Sequence, residues 1–209
     1  MSHLHIPDGI VSPIIWAAGY ILTILILYYL TKKMDNENIR RKIPFTGIAA
    51  AIMLLAMTVP LGILPVHLSL ASLTGILLGP GLGFLAVFSV NMILALVGHG
   101  GITLVGLNTL IIGTEVLVSS WLFRTVLKKF NIFLRTFISV AFALGVSICM
   151  MVIVFVTVSD SNQELPFHIH SGEGTMLAII ILSGILIESL ATSFIVKYFN
   201  KVRPDMIEE

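Results

Sequence analysis

Five stretches of about twenty residues, near 11–31, 44–64, 102–124, 136–158 and 176–198, run almost without charge. Each matches the length an α-helix needs to cross the hydrocarbon core of a bilayer. Inside lipid only helices and closed barrels satisfy their backbone amides, and runs this long fit helices. Charged residues make up 11% of the 209, against about 25% in an ordinary soluble domain. The expectation is an all-α integral membrane protein with one membrane domain over residues 1–209. Net charge is +1, so no nucleic-acid footprint exists. Cys149 is the single cysteine and lies in an apolar run, which excludes a disulfide or a thiolate cluster within one chain. The first residues hold no lysine or arginine and fit no secretory signal, so Met1 or the residue after it is expected as the mature terminus.

Between the second and third spans, the stretch from Leu68 to Val97 is broken by Gly79-Pro80-Gly81. Its two arms read as two short transmembrane helices or one re-entrant hairpin, giving a bundle of about seven spans or five. Both ends of the stretch fall on one face either way. Cytoplasmic loops accumulate lysine and arginine. All twelve such residues, in the groups Lys32–Lys42, Arg124–Arg135 and Lys197–Arg203, then fall on one side. The opposite face has Asp8, Asp160, Glu164 and Glu173 and no basic side chain. The N-terminus is therefore expected outside and the C-terminus in the cytoplasm.

The same map sends every histidine outward: His3, His5, His67, His99, His168 and His170. Random placement over two faces does this only about once in thirty trials. Neutral imidazole is a preferred ligand for divalent nickel, cobalt, copper and zinc. The bland alternatives are solvated loop histidines at 168 and 170 and a tight turn around His99, flanked by Gly98 and Gly100-Gly101. His67 differs, because an imidazole at a membrane boundary needs a partner to offset its desolvation.

A free chain terminus can also chelate. The α-amine, one or two amide nitrogens and a nearby imidazole form fused rings in a planar nitrogen set that suits Ni(II) and Cu(II). Met1-Ser2-His3 has histidine third and can fill four planar positions alone; with Met1 removed, Ser2-His3 supplies three nitrogens and His67 is the candidate fourth. Pro7 fixes its own φ, and Asp8-Gly9 favours a turn.

Within the apolar stretches stand Asn91, Asn108, Glu115 and Glu188. Such residues usually face the protein interior. Asn108 is placed to orient a ligand imidazole, and Glu188 to neutralise a bound cation or pair with a partner subunit; plain interhelical hydrogen bonding is the alternative. Gly47 and Ala49–Ala51 read as a close helix contact. No His-Glu-x-x-His or Gly-x-Ser-x-Gly motif supports an intramembrane enzyme.

His5-Ile6-Pro7-Asp8-Gly9 resembles the start of the CbiM/NikM family, the substrate-binding components of energy-coupling-factor cobalt and nickel transporters. His67-Leu68, Gly75-Ile76-Leu77-Leu78-Gly79-Pro80, Gly98-His99-Gly100-Gly101-Ile102-Thr103 and Gly106-Leu107-Asn108 agree in order. The resemblance implies a nearly square-planar site made by the terminal amine of Met1, the amide and imidazole of the motif histidine (His5), and His67. His3 is a further candidate ligand, and His99, Asn108 and Glu188 are supporting candidates. It also implies that Ni(II) or Co(II) is cargo rather than a bound cofactor. The implied partners are a transmembrane coupling subunit, a cytoplasmic ATPase pair and a small CbiN-like membrane subunit. A vitamin-binding component of the same transporter class would share the bundle but leaves the outward histidines without a purpose. One departure matters: the motif histidine normally stands second and here is fifth. Leu4 can mark an alternative start that restores Met-His-Ile-Pro-Asp-Gly; the longer terminus can be genuine, with His3 forming the chelate; or His3, His5 and His67 can bind as plain imidazoles.

Overall fold

The computed structural model describes residues 6, 8–9, 11–34, 36–59, 67–159 and 173–207. Among these the chain forms seven α-helices and no strand: α1 (Pro13–Lys32), α2 (Asn36–Thr58), α3 (Ala71–Leu78), α4 (Pro80–Leu96), α5 (Val105–Trp121), α6 (Ile132–Ser159) and α7 (Glu173–Val202). A π-turn, Leu122–Val126, extends α5, and a short 3₁₀ turn, Pro204–Met206, follows α7. Four of the helical segments are long and apolar enough to cross a membrane: Pro13–Lys32, Val105–Val126, Ile132–Thr157 and Ala178–Val202. The five apolar runs read from the sequence each meet a helix. The largest displacement is at α2, which begins at Asn36, well before the expected 44, because its polar first turns carry no hydropathy signal yet are helical. Pro44 lies inside it.

The Leu68–Val97 stretch breaks where the sequence indicates. Gly79 has φ +89°, which a residue with a Cβ rarely adopts, and Pro80 opens α4 where its missing N–H costs nothing. The two arms are unequal. At eight residues α3 is about 12 Å long, too short to cross a core of about 30 Å. Seven of its eight residues are buried, so it is an interior helix surrounded by protein. The corner between α3 and α4 packs against Met34 and Arg124, whose guanidinium donates to the Ile76 carbonyl at 3.1 Å. The corner thus sits among residues that neighbour the basic loops, while His67 and His99 lie beyond the opposite ends of α3 and α4.

Helix α5 is the axis of the bundle. Of its membrane span 72% is buried, against 11% for α1. Close approach is bought by small residues. A Cβ on Gly75 of α3 would stand 2.6 Å from the Val116 carbonyl of α5, and one on Gly106 of α5 would stand 2.5 Å from the Tyr20 nitrogen of α1. The small-residue contact expected at Gly47 and Ala49–Ala51 is corrected here. Gly47 meets nothing within 4 Å and Ala51 is exposed, with only Ala49 and Ala50 packed on neighbours. Composition alone cannot say which small residues face a helix. Cys149 on α6 is exposed at the outer surface of the bundle.

Candidate metal centre

The chain enters the bundle through Ile6, which is 1% exposed and packs on Leu104, Leu107 and Ile111. Its main chain is clamped from both sides. The Ile6 N–H donates to Asn108 Oδ1 at 2.9 Å, and Asn108 Nδ2 donates to the Ile6 carbonyl at 3.2 Å. The same carbonyl accepts the Gly101 N–H at 3.2 Å. Two residues on, the Asp8 carboxylate accepts the N–H of Ile102 at 2.9 Å, the N–H of Thr103 at 3.0 Å and the Thr103 hydroxyl. The Thr103 hydroxyl, with lesser help from the two amides, holds the Asp8 carboxyl below its ordinary value against the opposing cost of burial. A negative charge just ahead of the first turn of α5 also suits the helix dipole. The expected turn at Asp8-Gly9 is present, with Gly9 at φ +90°.

The residues that receive this strap belong to the segment that begins at His99. Gly98 and Gly100, at φ +79° and +108°, let the chain reverse around His99, whose N–H donates to the Leu94 carbonyl at 2.8 Å. The turn reading for His99 therefore holds. The turn also carries its imidazole to that of His67: the ring centroids are 6.4 Å apart at 68°. With metal–nitrogen bonds of about 2.0–2.1 Å plus a ring on each side, that separation is within the span of one shared ion. Both histidines are half-buried. Burial, and then the charge on His99, pushes the His67 imidazole below its ordinary pKa. The neutral ring that results offers the lone pair a divalent ion needs.

His67 is aimed by an elbow. Leu70 has φ +53°, the only positive φ at a non-glycine residue among those described. A leucine there costs about 1–2 kcal/mol and persists only where its surroundings over-determine it. Glu188 of α7 supplies the restraint. Its carboxylate accepts the Ser69 N–H at 3.0 Å, the Leu70 N–H at 2.9 Å and the Ser69 hydroxyl at 2.7 Å. Three hydrogen bonds of about 0.5–1.5 kcal/mol each are enough together to offset the strain. The Ser69 hydroxyl lies also 2.5 Å from Glu115 Oε2 of α5.

Two of the polar residues read from the sequence have these partners. Asn108, read as orienting a ligand imidazole or as an interhelical hydrogen bond, has its amide engaged with the main chain of Ile6, the residue that follows His5. Glu188, read as neutralising a cation, pairing with a partner subunit or bonding between helices, is 4% exposed and bonded to Ser69 and Leu70. The interhelical alternative applies to Asn91, which donates to the Thr109 hydroxyl at 3.3 Å. Met1, His3, His5, His168 and His170 lie outside the described residues. Among the described residues no three of His, Cys, Asp and Glu converge as a metal group; His67 and His99 meet as a pair. Missed from sequence were the Asp8 tie, the Ser69–Leu70 elbow and the meeting of Glu115 with Glu188. Two lone acids in separate apolar runs were the available signal.

Residues 5–206 match the family CbiM, the cobalt uptake substrate-specific transmembrane region. A relative in Archaeoglobus fulgidus that carries the name fused nickel transport protein NikMN is 30% identical over 216 residues, covering 99% of this chain and 68% of that protein. A relative in Methanocaldococcus jannaschii, named as a metal transport protein, is 27% identical and is covered over 94% of its length by 97% of this chain. The fold coincides with the crystal structure of a truncated transition metal transporter at a TM-score of 0.75 and 21% identity, over 95% of this chain and 99% of that one. The chain, a multi-pass membrane protein, belongs to the CbiM family of metal transport proteins.

Proposed function

We propose that this chain captures Ni(II) or Co(II) at the outer membrane face, with His67 and nitrogen donors of the N-terminal segment as its ligands. One observation supports the reading above others. The three segments that carry or follow a histidine near the N-terminus, at 67 and at 99 meet in one corner. There Asn108 clamps the residue after His5, and His67 and His99 lie ring to ring. Ligands drawn from distant parts of a chain, each held by its own hydrogen bonds, are how a protein fixes the geometry of a metal site. Met1, His3 and His5 supply the remaining donors, with His99 beside His67.

The lysine and arginine distribution supports an orientation with this corner outside and the basic loops in the cytoplasm. The chain does no chemistry. It holds the ion, while an energy-coupling membrane subunit, a pair of cytoplasmic ATPases and a small CbiN-like subunit drive its entry. The ion is cargo.

The test is isothermal titration of the purified protein in lipid nanodiscs with Ni(II) and Co(II), beside His67→Ala. Stoichiometric binding that is lost in His67→Ala, with helix content and melting temperature preserved, is the expected result. Equal affinity in the variant removes His67 from the site.

A further inference from the structure

The two carboxyls beneath the elbow pose a question of hydrogen counting. Ser69 Oγ carries one proton, and it stands 2.7 Å from Glu188 Oε1 and 2.5 Å from Glu115 Oε2. A single hydroxyl can donate to only one of them. Both contacts are hydrogen bonds only if one carboxyl brings a proton of its own and donates it to Ser69. Two bare carboxylates here would share one donor in a water-poor interior, where like charges repel strongly.

The surroundings say which acid holds the extra proton. Glu188 receives two main-chain N–H groups, which can only donate, and is therefore provided for as an anion. Glu115 is fully buried and receives no main-chain donor; the nearby Ser147 hydroxyl donates to the Ile111 carbonyl, which leaves Glu115 Oε1 without a hydrogen-bond partner among the described residues. An anion placed there would leave a charged oxygen uncompensated, whereas a neutral acid leaves only a carbonyl. Among the described residues, no lysine or arginine is bonded to either acid to change the count. Helices α3 and α4 contain no titratable side chain, and α5 contains only Glu115. The titratable residues of α6 are Cys149, which is exposed, and Arg135, whose Nε donates to the Phe123 carbonyl. On α7, Lys197 and Tyr198 lie more than two turns beyond Glu188 toward the C-terminal end.

We propose that Glu115 is a neutral carboxylic acid and Glu188 a carboxylate, joined through the Ser69 hydroxyl, and that this acid–carboxylate couple positions His67 by holding the left-handed elbow at Leu70. The hydrogen-bond chain runs from the Glu115 O–H to Ser69 Oγ and from the Ser69 O–H to Glu188. Glu188 anchors the two amides that follow the His67 segment. Neither acid touches the ion. They are positioning residues, and this role rests on the metal site proposed above, whereas the protonation of Glu115 does not.

Infrared spectroscopy of the bilayer-reconstituted protein at neutral pH tests the couple directly. A protonated carboxyl shows a C=O stretch separate from carboxylate bands, with a small shift in D₂O. The wild type is expected to show one such band and Glu115→Gln to lack it. A wild type without the band, or a band that survives Glu115→Gln, overturns the assignment. Ni(II) titration then tests positioning. Glutamine can replace a neutral acid that donates, but not a carboxylate that accepts three bonds. Glu188→Gln is therefore expected to weaken Ni(II) binding about ten- to hundredfold more than Glu115→Gln does. Equal losses, or the reverse order, overturn the positioning role. A wild type that binds no Ni(II) ends the metal reading, and the infrared result still decides the proton.

Discussion

Two tethers fasten histidine-bearing segments of this protein, and they are built from opposite materials. Ile6 is tied by a neutral and buried amide, Asn108, and the chain beside it is tied at the rim by Asp8, an exposed carboxylate. Residues 69–70 are tied inside the bundle by Glu188, a carboxylate almost wholly removed from solvent. Electrostatic attraction is screened at the rim and strong in the interior. The Asp8 tie at the rim can be loosened without touching the bundle, and the Glu188 tie cannot. A membrane protein can in this way hold one side of a site rigidly and present the other as a strap.

The sharpest break of that contrast is Glu188→Ala. It leaves two buried amides without an acceptor and Leu70 strained without restraint, for a loss on the order of 3 kcal/mol. Thermal unfolding in nanodiscs should show the largest drop of any single change discussed here, and a melting temperature equal to wild type would place the restraint elsewhere. Asn108→Ala comes next. It removes both side-chain bonds to Ile6, about 1–3 kcal/mol, and should raise hydrogen exchange at Ile6 and Gly101 while the melting temperature moves little. A global loss of stability instead would erase the distinction between strap and core. Acidification should do least. The folded pKa of Asp8 is depressed, so its contribution is fully present above the ordinary carboxylate value and is lost only as pH falls through the lower, folded one. Amide exchange at Ile102 and Thr103, corrected for its intrinsic pH dependence, should stay protected down to about pH 4 and rise below it. Loss of protection near neutral pH would mean that Asp8 is not what holds them.

Much of the frame is legible in the sequence. Helices α1, α5, α6 and α7 announce themselves because lipid-facing and buried residues are both apolar, so each span reads as one run. The break at Gly79-Pro80 was legible for the same reason that it exists, a positive φ followed by a residue without an N–H. The polar start of α2 was not, because hydropathy is silent on helices that leave the lipid. His67 and His99 were placed on one face, but their meeting ring to ring depends on the turn that Gly98 and Gly100 permit. Glu115 and Glu188 were each noticed alone. That they share Ser69 depends on how α5 and α7 lean against the entry to α3, and no local pattern records it. The bond from Asn108 to Ile6 is not legible either, because from sequence a side chain serving the backbone of a distant residue resembles one serving a ligand.

The lone thiol of Cys149 faces outward from α6, where hydrocarbon rather than water surrounds it. A polar alkylating reagent enters hydrocarbon poorly, so it should label the folded protein slowly. Unfolding brings the sulfur into contact with the aqueous phase. The native sequence thereby contains its own chemical clock for integrity, one mass increment per opened molecule, with no engineered cysteine required.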